Sequence, residues 1–172
     1  MPLVAHNALP AFERLRQHGM VVHTTERAAK QEIRELHIGL LNMMPDAALE
    51  ATERQFLRLV GESNPIAQFY VHPFTLPTLP RGDAARAHIA QFYEPFDAIR
   101  TAGLDALIIT GANVTHANLA DEPFWQPLIE VIDWAWDHVT STLCSCLATH
   151  AVMQFRYRQT RVKQADKVWG VF

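Results

Sequence analysis

Short apolar runs alternate with amphipathic helical segments along this chain, and that alternation constrains its fold more than any other feature. The predicted strands cover residues 36–41, 66–71, 104–110, 139–143 and 168–172. The predicted helices between them cover residues 45–60, 84–92, 123–136 and 146–157. Strands that alternate with helices form a mostly parallel sheet with helices packed on both faces. The sequence therefore predicts an α/β protein whose first strand begins at Leu36.

Length and charge limit what the chain can do. Its 172 residues suffice for one domain with a sizeable core. We divide them into an N-terminal extension at residues 1–35 and an α/β domain at residues 36–172. The formal net charge of −3 provides no basic surface for nucleic acid or an anionic membrane. We therefore expect neither as a partner.

The sequence also indicates a compartment. No apolar run approaches the roughly 20 residues that cross a bilayer. The first residues, MPLVAHNALPAF, lack the basic segment and apolar run of a secretory signal. The only two cysteines, Cys144 and Cys146, are too close in sequence for an unstrained structural disulfide. We expect a cytoplasmic protein.

The predicted sheet indicates where a ligand would bind. In open α/β sheets, ligands bind beyond the carboxyl ends of the strands. Those ends are Asn42–Pro45, His72–Pro73, Gly111–Thr115 and Ser145–Cys146. The proline-rich segment 74–82 is predicted to be a loop over this edge.

The segment TSTLCSCLATH, residues 140–150, contains both cysteines and permits four interpretations. Free cysteine is often simply buried. Cys144, Cys146 and His150 form a C-x-C-x3-H pattern, although a structural zinc site needs four ligands. The two thiols can also form a redox pair. In the fourth interpretation Cys146 is a nucleophile. His150 follows Cys146 by one helical turn and could face it, but a histidine in this position more commonly packs on its helix.

The nucleophile interpretation depends on the position of Cys146 between a strand and a helix. The N–H groups at a helix start carry partial positive charge and favour a thiolate. A sharp turn needs small residues two positions before and after the nucleophile, and Cys144 and Ala148 satisfy this need. The N–H of Leu147 would form one half of an oxyanion hole.

Several longer segments resemble the homoserine O-acyltransferases of the MetA type. They are GLLNMMPDAALEATERQFLRLVG, DALIITGANV, VTSTLCSCLATHAVMQFRY and KVWGVF, in the family's order and spacing. The resemblance implies a flavodoxin-like three-layer sandwich similar to class I glutamine amidotransferases. It also implies transfer of a succinyl or acetyl group from acyl-CoA to the hydroxyl of L-homoserine, through a cysteine thioester, in methionine biosynthesis.

The resemblance assigns roles to individual residues. The family's nucleophile falls on Cys146, and a lysine that contacts the amino-acid substrate falls on Lys167. The position that biases acyl-CoA choice falls on Thr115, where succinyl-preferring relatives tend to have glycine and acetyl-preferring ones often have glutamate. Because threonine carries no charge to repel the succinyl carboxylate, we expect a slight preference for succinyl-CoA. No metal or bound cofactor is implied, acyl-CoA is a co-substrate, and a homodimer is an open alternative.

The chain departs from the family pattern in three ways. Asp46 and Ala47 replace a common lysine pair, which removes positive charge, and Arg158 replaces a glycine that would end the nucleophile helix. The family is also considerably longer, and its general-base histidine and orienting glutamate lie beyond the last residue here. We therefore expect an α/β domain that is incomplete at its C-terminus and impaired alone. The alternative is a non-catalytic remnant or binding module of the same fold.

Overall fold

The computed structural model describes residues 3–64 and 66–162. Its strands are β1 (Leu3–Ala5), β2 (Val22–Thr24), β3 (Glu35–Leu41), β4 (Gln68–Phe74), β5 (Ala106–Ile109) and β6 (Ser141–Cys144). Its α-helices are α1 (Pro10–Gln17), α2 (Thr25–Ala28), α3 (Leu49–Ser63), α4 (Asp83–Phe92), α5 (Phe96–Ala102), α6 (Trp125–His138) and α7 (Leu147–Tyr157). Short 3-10 turns occupy Asp46–Ala48 and Leu119–Asp121.

The six described strands form one parallel sheet in the order β2-β1-β4-β3-β5-β6. β3 is central: it pairs with β4 up to Leu41↔Phe74 and with β5 up to Leu41↔Ile109. The strand order reverses at β3, which is the place where open α/β sheets bind ligands. The predicted α/β class, with a parallel sheet of flavodoxin-like type, is confirmed.

Apolar clusters cover both faces of the sheet. On one face, Leu41 of β3 belongs to a buried cluster with Leu128 of α6 and Ala151 of α7. On the other face, Leu40 belongs to a cluster with Leu57 of α3. Successive side chains of a strand point to opposite faces, so β3 contributes to both layers. Full burial of each such leucine stabilises the fold by about 1.5–3 kcal/mol.

The N-terminal residues contribute strands to this sheet. β1 pairs with β2 along its length and with β4 at Leu3↔Phe69, and Leu3 and Phe12 are buried against β4 and α3. The prediction that the first strand begins at Leu36 is therefore wrong. Strands of three residues are too short to show an alternating pattern. The division of the chain at residue 35 stays a prediction, but the sheet continues across it.

β4 runs through His72-Pro73, where the sequence predicts its end. Among the described residues, β1 pairs with β4 at Phe69, and none of the described strands lies beside Pro73 on that side. The carbonyl of Pro73 instead accepts a hydrogen bond from the N–H of Glu94, 2.9 Å away. Proline is tolerated in a strand where the ladder does not need its missing N–H.

The ends of α3 and α7 depend on residues other than those that the sequence predicts. α3 continues past Gly61 to Ser63, so the predicted end at Gly61 is wrong. That glycine is a position of close packing, where a Cβ would lie 2.7 Å from Met20 Cε. α7 ends at Tyr157 as predicted, although Arg158 replaces the expected glycine and itself adopts the left-handed conformation, with φ 56°. The sequence predicts no helix at α5. None of the helices in the described ranges is both long and apolar enough to span a membrane.

Candidate active site

Cys146 lies at the turn between β6 and α7, as the sequence predicts. Its backbone has φ 55° and ψ −115°, a conformation that non-glycine residues rarely adopt. The N–H of Ser145 donates to the carbonyl of Ile109 at 2.9 Å, and the N–H of Thr149 donates to that of Cys146 at 3.2 Å. Backbone strain of this kind costs about 1–3 kcal/mol and concentrates at functional sites.

The two cysteines differ in environment. Cys144 is half-buried, whereas Cys146 is exposed. Burial raises the pKa of the Cys144 thiol, which favours its neutral form. The backbone carbonyl of Cys144 accepts a hydrogen bond from the hydroxyl of Thr149 at 3.1 Å. Cys144 is thus a packing residue at the end of β6, and Cys146 is the accessible thiol.

Gly111, directly after Thr110 at the end of β5, lies beside this thiol. A Cβ atom at Gly111 would lie 3.3 Å from Cys146 Cβ, 3.6 Å from its Sγ and 3.8 Å from the nitrogen of Leu147. The absent side chain keeps the space near the thiol and the first N–H of α7 open. The sequence indicates only a turn at Gly111, since its contact with Cys146 follows from the pairing of β5 with β6.

The carboxylate of Glu122 holds the loop that contains Thr115. Its Oε1 accepts hydrogen bonds from the N–H groups of Thr115 and His116, both at 2.6 Å, and its Oε2 accepts one from the Thr115 hydroxyl at 3.3 Å. Burial opposes the charge of Glu122, but these backbone donors outweigh it and lower its pKa. Thr115 itself carries no charge, and the sequence pattern does not indicate the carboxylate beside it.

Thr115 lines two cavities at the carboxyl edge of the sheet. One, of about 690 Å³, lies between the Thr115 loop and His150 of α7, and it is also lined by Arg161, whose Nη2 donates to the carbonyl of His116 at 2.7 Å. The second, of about 290 Å³, extends past Arg81 and Phe124. His150 is exposed to the first cavity, so the expectation that it packs on its own helix is wrong.

Arg81 places a positive charge beside Asp46, one of the two residues that replace the family's lysine pair. Its Nη1 lies 3.2 Å from Asp46 Oδ1, and its Nη2 donates to the carbonyl of Asn42 at 3.3 Å. The N–H of Gly82 donates to Asp46 Oδ2 at 2.7 Å and is the main cause of that residue's lowered pKa. These contacts anchor the proline-rich loop 75–82 at the carboxyl end of β3, as predicted.

A buried polar network supports the same strand end. Glu53, only 1% exposed, accepts a hydrogen bond from the Tyr93 hydroxyl at 2.8 Å and lies 2.7 Å from Nε2 of His88. Asn42 donates from Nδ2 to the Tyr93 oxygen at 2.9 Å. Burial, followed by the charge of Glu53, raises the pKa of Tyr93, so its hydroxyl stays protonated. The members of this network lie on separate elements, so no local sequence pattern indicates it.

Two remaining expectations concern other residues of the predicted site. Lys167 and the strand predicted at residues 168–172 lie outside the described residues, so both stay predictions. Within the described ranges, Cys144, Cys146 and His150 do not bring their ligating atoms within 4.8 Å of one another. The structure therefore does not support the C-x-C-x3-H metal interpretation.

These features define a class: a flavodoxin-like α/β protein with an exposed cysteine on a strained strand-to-helix turn at its ligand-binding edge. The family model for homoserine O-succinyltransferase matches residues 2–172. The chain belongs to the homoserine O-succinyltransferase family, and the resemblance found in the sequence is confirmed.

Individual relatives agree with the family match. Over 172 residues, the chain is 84% identical to the homoserine O-succinyltransferase of Thiobacillus denitrificans and 69% identical to that of Allochromatium vinosum. It is 67% identical to that of Thioalkalivibrio nitratireducens. The matches cover 100% of this chain but 49%, 48% and 48% of the three relatives. The chain thus spans about half the length of the curated relatives it matches.

Proposed function

We propose that the natural protein containing this chain transfers the succinyl group of succinyl-CoA to the hydroxyl of L-homoserine, as a cytoplasmic step of methionine biosynthesis. The observation that carries this proposal is the backbone of Cys146, which is exposed and has φ 55° at the start of α7. A cysteine held in this way presents its sulfur above a sharp turn, beside the positive end of a helix. Family membership supplies the substrates.

The proposed reaction has two halves. The Cys146 thiolate attacks the thioester carbonyl of succinyl-CoA, and the resulting tetrahedral oxyanion collapses to expel CoA thiolate, which takes up a proton. The succinyl group is then a thioester on Cys146 Sγ. A base removes the proton of the homoserine hydroxyl, whose oxygen attacks this thioester and regenerates the Cys146 thiolate.

The N–H of Leu147 is proposed to stabilise the oxyanion in both halves. It is the first residue of α7, where backbone N–H groups have no partner within the helix. The open space at Gly111, whose added Cβ would lie 3.8 Å from that nitrogen, supports access for a substrate oxygen. One such donor contributes about 3–4 kcal/mol to transition-state stabilisation in acyl-transfer enzymes.

The remaining roles are proposed from the resemblance. Lys167 would contact homoserine, and the general base would come from the part of the relatives' length that this chain does not match. Thr115 would bias the choice of acyl donor. The Glu122 carboxylate lies beside Thr115, but two backbone N–H groups bind its Oε1 and offset its charge. We therefore retain a slight preference for succinyl-CoA over acetyl-CoA.

Product formation by the natural full-length protein tests this function. Purified protein is supplied with homoserine and equal concentrations of succinyl-CoA and acetyl-CoA, and both O-acylhomoserine products are quantified. We expect mainly O-succinylhomoserine, no product from Cys146→Ser, and product from the matched variant Cys144→Ser. Equal activity of the two variants, or binding of both substrates without any product, would reject the acyltransferase proposal and favour a binding module.

A further inference from the structure

We propose that His6, His72 and Glu94 form a binding site for one divalent transition-metal ion, with Zn²⁺ as the best match. His6 follows β1, His72 lies in β4, and Glu94 follows α4. Two strands, β3 and β5, separate β4 from β6 in the sheet, a lateral distance of about 14 Å. The site is therefore separate from the one at Cys146.

The three side chains converge from separate parts of the chain. Their ligating atoms all lie within 4.8 Å of one another. Nδ1 of His72 is 2.7 Å and Nε2 of His6 is 3.6 Å from the same oxygen of Glu94, Oε1. The His6 and His72 side chains are 15% and 16% exposed, and that of Glu94 is 34% exposed. The group is thus sheltered but still reachable from solvent.

The second nitrogen of each imidazole already has a partner. Nδ1 of His6 lies 3.3 Å from the carbonyl of Val4, which can only accept, so this nitrogen carries the proton. Nε2 of His72 lies 2.9 Å from Nδ1 of His37. Metal-binding histidines are commonly oriented through hydrogen bonds of the other ring nitrogen. The cluster shows such an orientation for both rings.

The position of His6 beside the Glu94 carboxylate favours a cation between them. With its Nδ1 protonated, a neutral His6 directs the lone pair of Nε2 towards Glu94 Oε1, 3.6 Å away, and towards the amide nitrogen of Asn7, 3.5 Å away; the approach to the carboxylate is unfavourable. Nδ1 of His72 lies 2.7 Å from the same carboxylate oxygen, so two imidazole nitrogens converge on it. Either a second proton on His6 or a metal ion between the two groups resolves this conflict.

The donor set favours a transition metal. Two imidazole nitrogens and one carboxylate, with water in the fourth position, are a common four-coordinate arrangement around zinc. Calcium and magnesium prefer oxygen ligands. A cavity of about 330 Å³ adjoins His72 and Glu94 and extends to Asp105, and it has room for the water. The sequence predicts no metal site here, because the three residues are distant along the chain.

Such an ion would fasten the N-terminal strand to the sheet. Among the described residues, β1 pairs with β4 at Leu3↔Phe69. A metal bound by His6 and His72 would bridge the same two segments. We expect bound Zn²⁺ to raise the melting temperature of the protein, because an ion that binds only the folded state shifts the folding equilibrium.

Metal titration of the natural full-length protein tests the site. Thiols also bind zinc, so the titration uses a Cys144→Ser, Cys146→Ser background after chelator treatment. Zn²⁺ binding is followed by calorimetry, and Co²⁺ binding by its visible absorption. We expect one equivalent of each ion to bind. His6→Asn and Glu94→Gln should each weaken the affinity at least tenfold, whereas the exposed control His18→Asn should leave it unchanged.

The alternative is a protonated His6 paired with Glu94 and no metal. It predicts no stoichiometric binding of Zn²⁺ or Co²⁺ at micromolar concentrations by the folded protein. That result would overturn the proposal. Equal affinity of His6→Asn, Glu94→Gln and the control for Zn²⁺ would also overturn it, because the ion would then bind elsewhere. Circular dichroism verifies that each variant is folded.

Discussion

Gly111 and Cys146 are neighbours across the carboxyl ends of β5 and β6, so that a Cβ on Gly111 would lie only 3.3 Å from the Cβ of Cys146. This separation is shorter than a comfortable contact between carbon atoms. The thiol and the first N–H of α7 therefore share a space that exists because residue 111 has no side chain. Position 111 is part of the proposed site although it contributes no reactive group.

Gly111→Ala should slow the acylation of Cys146 strongly and lower the stability of the fold only moderately. The added methyl group would occupy the space beside Cys146 Sγ, and we expect thioester formation to slow at least tenfold. Crowding should lower the free energy of unfolding by about 1–3 kcal/mol. The matched control is Gly82→Ala, whose Cβ would meet only the end of the Asp46 side chain, at 3.2 Å. Equal acylation rates in the two variants would contradict this role of Gly111.

The strain at Cys146 predicts an unusual order of stabilities. Because its φ is 55°, glycine should fit this position better than alanine, by about 1 kcal/mol. We expect Cys146→Gly to unfold at a higher urea concentration than Cys146→Ala. Arg158, with φ 56°, is the matched control: Arg158→Gly should likewise unfold at a higher urea concentration than Arg158→Ala, and both variants should still form the thioester. Equal or higher stability of Cys146→Ala would show that the turn is not strained in solution.

Glu122→Gln should destabilise the Thr115 loop and change the acid dependence of stability. Loss of charge-assisted hydrogen bonds to two N–H groups should cost about 1.5–3 kcal/mol at neutral pH. The pKa of Glu122 is lowered from 4.5 in the folded protein. The contribution of ionised Glu122 to the free energy of unfolding is therefore complete above pH 4.5, and it disappears as the pH falls through the folded-state pKa.

Urea unfolding of the wild type and Glu122→Gln at several pH values measures both effects. The stability difference between them should shrink as the pH decreases below 4.5. Glu130→Gln is the control, since Glu130 forms an exposed ion pair with Arg100 and should change stability by less than about 1 kcal/mol. A difference for Glu122→Gln that does not vary with pH would exclude an ionised Glu122 as the cause.

Position 115 should control the acyl donor. Thr115→Glu would place a second carboxylate near the succinyl group, and like charges a few ångströms apart repel. We expect the ratio of kcat/KM for succinyl-CoA to that for acetyl-CoA to fall at least tenfold. Thr115→Gln has nearly the same shape without charge and should retain most of the ratio. Equal ratios in the two variants would exclude charge as the basis of donor choice.

Tyr93→Phe should weaken the support of β3. It removes the hydroxyl that joins Asn42 to the buried carboxylate of Glu53, and unsatisfied buried groups cost about 1–3 kcal/mol each. Tyr70→Phe is the control, because its hydroxyl bonds Glu35 in an exposed position. We expect a clear decrease in unfolding free energy for the first variant and a change near zero for the second. Similar values for both would show that the network contributes little.

The sequence predicts the sheet well where strands are long and apolar, and less well elsewhere. The apolar runs at residues 36–41 and 104–110 predict β3 and β5, which lie in the core, whereas β1 and β2 are too short for a periodic signal. The position of Cys146 followed from the strand and helix on either side of it. Its strained backbone and the contact with Gly111 depend on the pairing of β5 with β6, which periodicity does not reveal.

The polar contacts of the site were the least predictable part. Glu122 reaches Thr115, and Arg81 reaches Asp46, only because loops fold back over the sheet edge. The cluster of His6, His72 and Glu94 arises because β1 inserts beside β4. Such contacts join residues distant in sequence, so one sequence gives no local pattern from which to find them.

The most direct test of the central claim is the mass of the protein after brief incubation with succinyl-CoA in the absence of homoserine. We predict a single succinyl adduct that hydroxylamine removes and that peptide mapping assigns to Cys146. It should be absent from Cys146→Ala and present in Cys144→Ala. No adduct on the folded natural protein, or an adduct shared equally between the two cysteines, would contradict the account.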